Sequence, residues 1–270
     1  MRIDAHQHFW NYTPGMDWIT DDMSVIRKDF FPADLLPLLQ ENDIDGCIAV
    51  QVDQTDQETK YLLQLAATYD FIKSVVGWID LKAPDIISQL EMYQHYPALK
   101  GFRHILQSEP PEYMLQKDFL RGIGALQTTG FTYDILVYPH HLSAVDELIK
   151  RFPNQPFVID HLAKPYISTH DIDGWKKDMQ RISAYENVYC KVSGMLTEAN
   201  WKQWRQSDLM PYLDVVAEAF GTKRLLFGSD WPVCLVAGSY QDTVTIVQEY
   251  FSGDELTDVM GENAIRFYNL

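Results

Sequence analysis

The chain has 270 residues, 46% hydrophobic and 22% charged, with a formal net charge of −16. That length fits one large α/β unit or two small domains, while the acidic balance excludes a nucleic-acid binder, which needs clustered Lys and Arg, and binding to an anionic membrane surface. Cys47, Cys190 and Cys234 lie far apart with no CxxC pair, which excludes a disulfide framework or thiolate zinc site and fits a reducing compartment.

The first element is "RIDAHQH" (2–8). It is not a secretion signal, since no apolar run follows a basic start, and no window holds the ~18 apolar residues of a membrane helix. A soluble, cytoplasmic protein with no membrane partner is expected. In a strand, residues two apart share a face, so Asp4, His6 and His8 are expected on one surface. Such a face is costly to bury unless each polar group finds a partner. Within the interval 9–45, "NYTPGMDWITDDMSVIRKDF" (11–30) reads as an extended loop with Trp10, Tyr12 and Trp18 near it, either folded over the barrel mouth or a plain surface excursion.

Short apolar strands and amphipathic helices then alternate. The strands are "GCIAVQVD" (46–53), "KSVVGWID" (73–80), "LKGFRHIL" (99–106), "FTYDILV" (131–137), "FVIDHLA" (157–163), "NVYCKVSG" (187–194) and "RLLFGSD" (224–230). Helical periodicity marks "DQETKYLLQLAATYD", "APDIISQLEMYQHY", "PHHLSAVDELIKRF", "DGWKKDMQRISAYE" and "LMPYLDVVAEAF", and two closing helices follow the last strand. Eight strand–helix alternations predict a single-domain α/β fold over 1–270, a (β/α)8 TIM barrel. A doubly wound sheet lacks support, because no G-x-G-x-x-G follows any strand.

Barrel enzymes assemble their sites at the C-terminal ends of the strands. There the chain places His6 and His8, Gln51 and Asp53, Trp78 and Asp80, Arg103 and His104, Asp160 and His161, Lys191 and Ser193, and Ser229 and Asp230. His6 and His8 suit one metal cation, or a hydrogen-bonded pair without metal. His161 shares parity with Phe157 and Ile159 and points inward if they do; in isolation it reads as a satisfied core histidine. Asp230 ends an apolar strand, where an uncompensated charge is expensive. Arg103 and His104 are adjacent and face opposite ways, with Arg103 either orienting a substrate carbonyl or carboxylate or held in a structural ion pair. Lys191 is either a pocket residue or a buried cation paired with Asp134.

An HxH on strand 1, a His ending strand 6 and an Asp ending strand 8 resemble the amidohydrolase superfamily. "DAHQHFW", "GFRHIL", "FVIDHLAKP", "CKVSGM" and "LLFGSDWPV" are together similar to its sugar-lactonase branch, which includes L-fuconolactone, L-rhamnonolactone and pyrone-dicarboxylate lactone hydrolases. The resemblance implies a central constellation of His6, His8, His161 and Asp230, with Arg103 and His104 on substrate and Asp53, Trp10 and Trp78 as pocket walls. No lysine ends strand 4 or 5 to bridge two metals, Lys100 standing at the start of its strand. The implied cofactor is therefore one divalent ion, zinc foremost, or none.

The implied reaction opens a sugar lactone to its acid. Asp230 is the general base, and either a metal-activated water or donors from His161, His104 and Arg103 stabilise the oxyanion. A metal-dependent decarboxylase, an amide hydrolase and a non-catalytic sugar binder are the rivals. The expected partner is a small molecule, and a homo-oligomer is left open.

Overall fold

A computed structural model describes all residues 1–270. One sheet of eight strands runs in chain order: β1 (Ile3–Gln7), β2 (Gly46–Val50), β3 (Ile72–Gly77), β4 (Leu99–His104), β5 (Thr132–Ile135), β6 (Phe157–Ile159), β7 (Val188–Val192) and β8 (Leu225–Phe227). All seven adjacent pairs are parallel. The ring closes just beyond the ends of β8 and β1. His8 N–H donates to the Trp231 carbonyl and Asp230 N–H to the His6 carbonyl, both at 2.8 Å. The architecture is a (β/α)8 barrel.

Parity sorts the strand residues. Ile48, Val50, Val76, Val158 and Leu226 point into the lumen and pack with Phe267 and Tyr268 of the last helix, Asn263–Tyr268, which plugs the N-terminal end. Val75, Phe102, Tyr133, Phe157, Ile159 and Phe227 face outward onto the helices in a second, larger core. At about 25 cal/mol per Å² of apolar surface, these two layers dominate the folding free energy. No helix is long and apolar enough to cross a membrane.

The expected helices are present, including Asp56–Thr68, Leu142–Arg151 and Gln206–Phe220. Besides the single turn Met195–Glu198, two helices were not expected. Pro32–Glu41 lies between the presumed loop and β2, its pattern obscured by Pro32 at the first turn and Pro37 within. Lys117–Gln127 contains Gly122 and Gly124, and Gly122 is required because a Cβ there would lie 2.1 Å from the Leu81 carbonyl oxygen. The rest of the interval lies over the barrel mouth: Trp10 bridges Phe30, and Phe30 packs edge-on to Trp231, 5.2 Å between centroids, in the segment following β8.

Candidate active site

Two departures from regular strand geometry build the site. The β1–β2 register shifts between Asp4 and Gln7, so Asp4 and His6 do not share a face as simple alternation predicts. Asp4 turns outward and accepts hydrogen bonds from Ser229 N–H (2.9 Å), Ser229 Oγ–H (2.6 Å) and the Tyr240 hydroxyl (3.1 Å). Burial pushes its carboxyl up to about 6 against these bonds. Asp4 thus ties β1 to the turn that carries Asp230. His6 and His8 remain together, ring centroids 4.9 Å apart.

The second departure follows β6. Phe157 and Ile159 face the outer core, so strand parity would send His161 outward, contrary to the parity expectation. The chain instead enters a left-handed turn in which His161, Leu162, Ala163 and Lys164 have φ between 51° and 58°. Each such residue costs roughly 1–2 kcal/mol. The turn brings His161 to the mouth, where its Nδ1 meets Ser193 Oγ at 2.9 Å. Room for the ring comes from Gly194, where a Cβ would sit 2.6 Å from His161 Nδ1; Gly228 makes the same allowance for His6.

Around Asp230 Oδ1 stand His8 Nε2 at 3.4 Å, His6 Nε2 at 3.9 Å and His161 Nε2 at 3.9 Å. All four residues are at most 5% exposed. Burial lowers the pKa of each ring, to about 4 for His161 and well below the ordinary value for His6. Burial pushes Asp230 up, but His161, His8 and His6 outweigh it and hold the carboxyl below the usual carboxylate range. Near pH 7 the cluster is one carboxylate among three neutral imidazoles. His8 Nδ1 bonds to the Val50 carbonyl at 2.8 Å; a carbonyl only accepts, so Nδ1 carries the proton and the Nε2 lone pair faces Asp230. The centre is electron-rich.

Beneath it lies an ionic layer. Lys191 is fully buried, its Nζ 2.5 Å from Asp134 Oδ2, 3.0 Å from Asp160 Oδ1 and 3.1 Å from His6 Nδ1. It therefore sits in the lumen as a structural cation, and the pocket reading of Lys191 is set aside: two fully buried carboxylates hold its ammonium there. Arg103 turns inward. Its Nη1 reaches Asp160 at 3.0 Å and His6 Nε2 at 3.2 Å, while Nε and Nη2 bond to Gln51 Oε1. Burial is the main influence lowering His6; Asp160 opposes it, and Lys191 and His161 add to it.

The other sequence candidates lie apart from this cluster. His104 faces the opposite way from Arg103, stacked on Tyr113 with centroids 5.1 Å apart and accepting from Trp78 Nε1 at 3.3 Å. Trp10 is buried, donating to the Lys28 carbonyl at 2.9 Å, and Asp53 is exposed. A pocket wall at Trp10 is unsupported, because its polar edge is spent within the first loop. Asp160, Gln51 and Ser193, named at strand ends but given no role from the sequence, contact the central rings or Arg103 directly. Their place at strand ends was the available signal; their depth was not visible.

The donor set fits one metal ion. Ligand atoms of His6, His161 and Asp230 all lie within 4.8 Å of one another, and zinc takes His nitrogen and carboxylate oxygen at about 2.0–2.2 Å. The lone pair of His8 is 3.4 Å from Asp230 Oδ1. Facing acceptors without an intervening proton favour a cation between them. Arg103 Nη1 competes for His6 Nε2, and a bound ion would leave Arg103 to Asp160 and Gln51.

Comparison with known proteins gives a consistent family. A family described as amidohydrolase matches residues 3–270. An L-fucono-1,5-lactonase from Burkholderia multivorans is 37% identical over 286 residues, covering 100% of this chain and 96% of that protein. An L-rhamnono-gamma-lactonase from Scheffersomyces stipitis is 27% identical over 52% of this chain and 48% of its own length. A crystal structure of an amidohydrolase from Burkholderia multivorans with bound zinc superposes with a TM-score of 0.96 at 37% identity, covering 100% of this chain and 99% of the other.

Proposed function

Because the chain belongs to the amidohydrolase family, we propose that it hydrolyses a sugar lactone, such as an aldono-1,5-lactone, to the open acid. The observation that carries this reading is Asp230: an ionised, buried carboxylate at the barrel mouth, 3.4–3.9 Å from three neutral histidines. The lactonase relatives supply the substrate class.

The chemistry asks little of the protein beyond positioning. Water adds to the lactone carbonyl carbon and gives its proton to Asp230. As the bond between that carbon and the ring oxygen breaks, the proton passes to the departing oxygen. Asp230 is ionised in advance, so no group must lose a proton before water enters. Asp4 fixes the Asp230 turn through Ser229, and Asp160 and Lys191 fix His6 from below. His6, His161 and Asp230, with His8 beside them, would hold one zinc ion, which when bound acidifies water and polarises a carbonyl. Arg103, whose Nη1 faces the site at His6 Nε2 (3.2 Å), is the donor offered to the developing oxyanion.

The relatives at 37% and 35% identity, both L-fucono-1,5-lactonases, favour lactone hydrolysis over the decarboxylase rival. The test is a pH-indicator screen of sugar lactones with and without chelator. Acid release from a 1,5-aldonolactone supports the reading; inactivity on all lactones, or carbon dioxide release from an acid substrate, overturns it.

A further inference from the structure

Outside the Asp230 cluster, one charged pair faces the same mouth and has no part in the scheme above. Lys164 Nζ lies 3.2 Å from Glu198 Oε1, their side chains only 16% and 17% exposed. Lys164 completes the left-handed turn that begins at His161, its N–H bonded to the His161 carbonyl at 2.7 Å. Glu198 ends the short helix Met195–Glu198, which starts directly after Gly194, the residue packed against His161. The Lys164 ammonium also lies 5.6 Å from the ring centroid of Tyr138, beyond β5. Loops from three neighbouring strands therefore converge on this pair.

Its bonding is incomplete. The contact uses Oε1 of Glu198 and one of three N–H groups of Lys164, leaving Oε2 and two donors for another molecule. Lys191, in contrast, is held between two fully buried carboxylates. A half-buried ion pair is a weak source of stability, because desolvating both charges offsets their attraction. Its place beside the reacting centre is better accounted for by recognition. Asp230 and His161 both sense the Lys164 charge: Asp230 helps raise the ammonium against the effect of burial, and the ammonium helps lower His161, where burial is the larger cause.

We infer that Lys164 and Glu198 bind the ring hydroxyls of the lactone, Lys164 donating and Glu198 accepting, and thereby set the preference for a hydroxylated lactone over a bare one. This rests on the sugar-lactone reading. A donor and an acceptor side by side match two neighbouring hydroxyls, each of which both donates and accepts. A site built to bond a hydroxyl strongly rejects an analogue lacking it, because its own polar groups are then left unpaired.

The experiment compares kcat/KM for L-fucono-1,5-lactone and for δ-valerolactone, which has no hydroxyls. It uses the wild-type protein, the neutral double variant Lys164→Met/Glu198→Leu and the reversed pair Lys164→Glu/Glu198→Lys. The neutral variant removes one charge of each sign and keeps the net charge. The reversed pair retains an ion pair if the neutral variant folds poorly. The ratio of the two kcat/KM values is expected to fall at least tenfold in both variants, mostly through KM for the sugar lactone, as loss of a charged hydrogen bond requires. A ratio within threefold of wild type, or one restored by the reversed pair together with thermal stability, assigns the pair to structure and overturns the inference. Wild-type protein inactive on both lactones overturns the lactonase reading and this inference with it; activity with an unchanged ratio overturns this inference alone.

Discussion

Replacing Lys191 with methionine keeps the length of the side chain and deletes one charge from a sealed layer. That layer holds two carboxylates, Asp134 and Asp160, and two cations, Lys191 and Arg103, all at most 4% exposed. Without Lys191, two carboxylates share one guanidinium, which reaches Asp160 but not Asp134. Removing one member of a buried pair costs about 3–5 kcal/mol. Burial already pushes the Asp134 carboxyl up to about 6, with Lys191 the main opposing influence. In the variant Asp134 therefore takes up a proton near neutral pH, and the penalty shrinks as pH falls from 8 to 6. Urea unfolding at pH 8 should show the full loss; a thermal scan should shift by on the order of 10 °C. Adding Asp134→Asn removes the stranded carboxylate, so the double variant should be more stable than the two single effects sum to, by roughly 2 kcal/mol or more. A Lys191→Met loss below about 1 kcal/mol, or strict additivity in the cycle, would refute the picture of a charge-balanced layer.

The other expectations concern the site itself. Gly194→Ala places a Cβ 2.6 Å from His161 Nδ1 at a positive φ of 64°; it should cost about 1–3 kcal/mol and displace the ring, lowering kcat more than it raises KM, as steady-state kinetics will show. His161 has its folded-state pKa pushed down by burial from 6.5 to about 4, so its neutral form contributes stability above pH 6.5 that is lost on acidification toward 4, up to roughly 3 kcal/mol. In chelator, His161→Asn should therefore show a flatter decline of unfolding free energy across that window than wild type. Zinc held by the native cluster raises the melting temperature by mass action, about 2.7 kcal/mol at one hundred times its dissociation constant. Scanning calorimetry should find that shift in wild type and lose it in His6→Ala.

Much of the barrel was legible because each βα unit carries its own pattern, and the strand ends collected chemistry that a buried edge does not tolerate idly. What the pattern missed has local causes. Simple alternation put Asp4 beside His6, but a one-residue shift of register sends it outward to Ser229 and Tyr240. Parity with Phe157 and Ile159 gave His161 the right destination by the wrong route, because the strand stops at Ile159 and a left-handed turn does the aiming. Left-handed backbone at four non-glycine residues has no sequence signature. The clue lay in Gly194 and Gly228, whose missing Cβ atoms make room for His161 and His6. Lys191 shares its strand end with Ser193, yet two positions along a tilted strand separate a lumen cation from a mouth residue. The helix Pro32–Glu41 escaped notice because its prolines read as breakers.

The central claim is that the Asp230 carboxylate takes the proton from water in lactone hydrolysis. The measurement that tests it most directly is single-turnover hydrolysis of L-fucono-1,5-lactone by Asp230→Asn, with folding verified by circular dichroism. The asparagine keeps the size of the side chain and cannot accept that proton, so the chemical step should slow by about 10³-fold or more while substrate affinity changes by only a few-fold. A step within tenfold of wild type, in a folded protein, would contradict the claim.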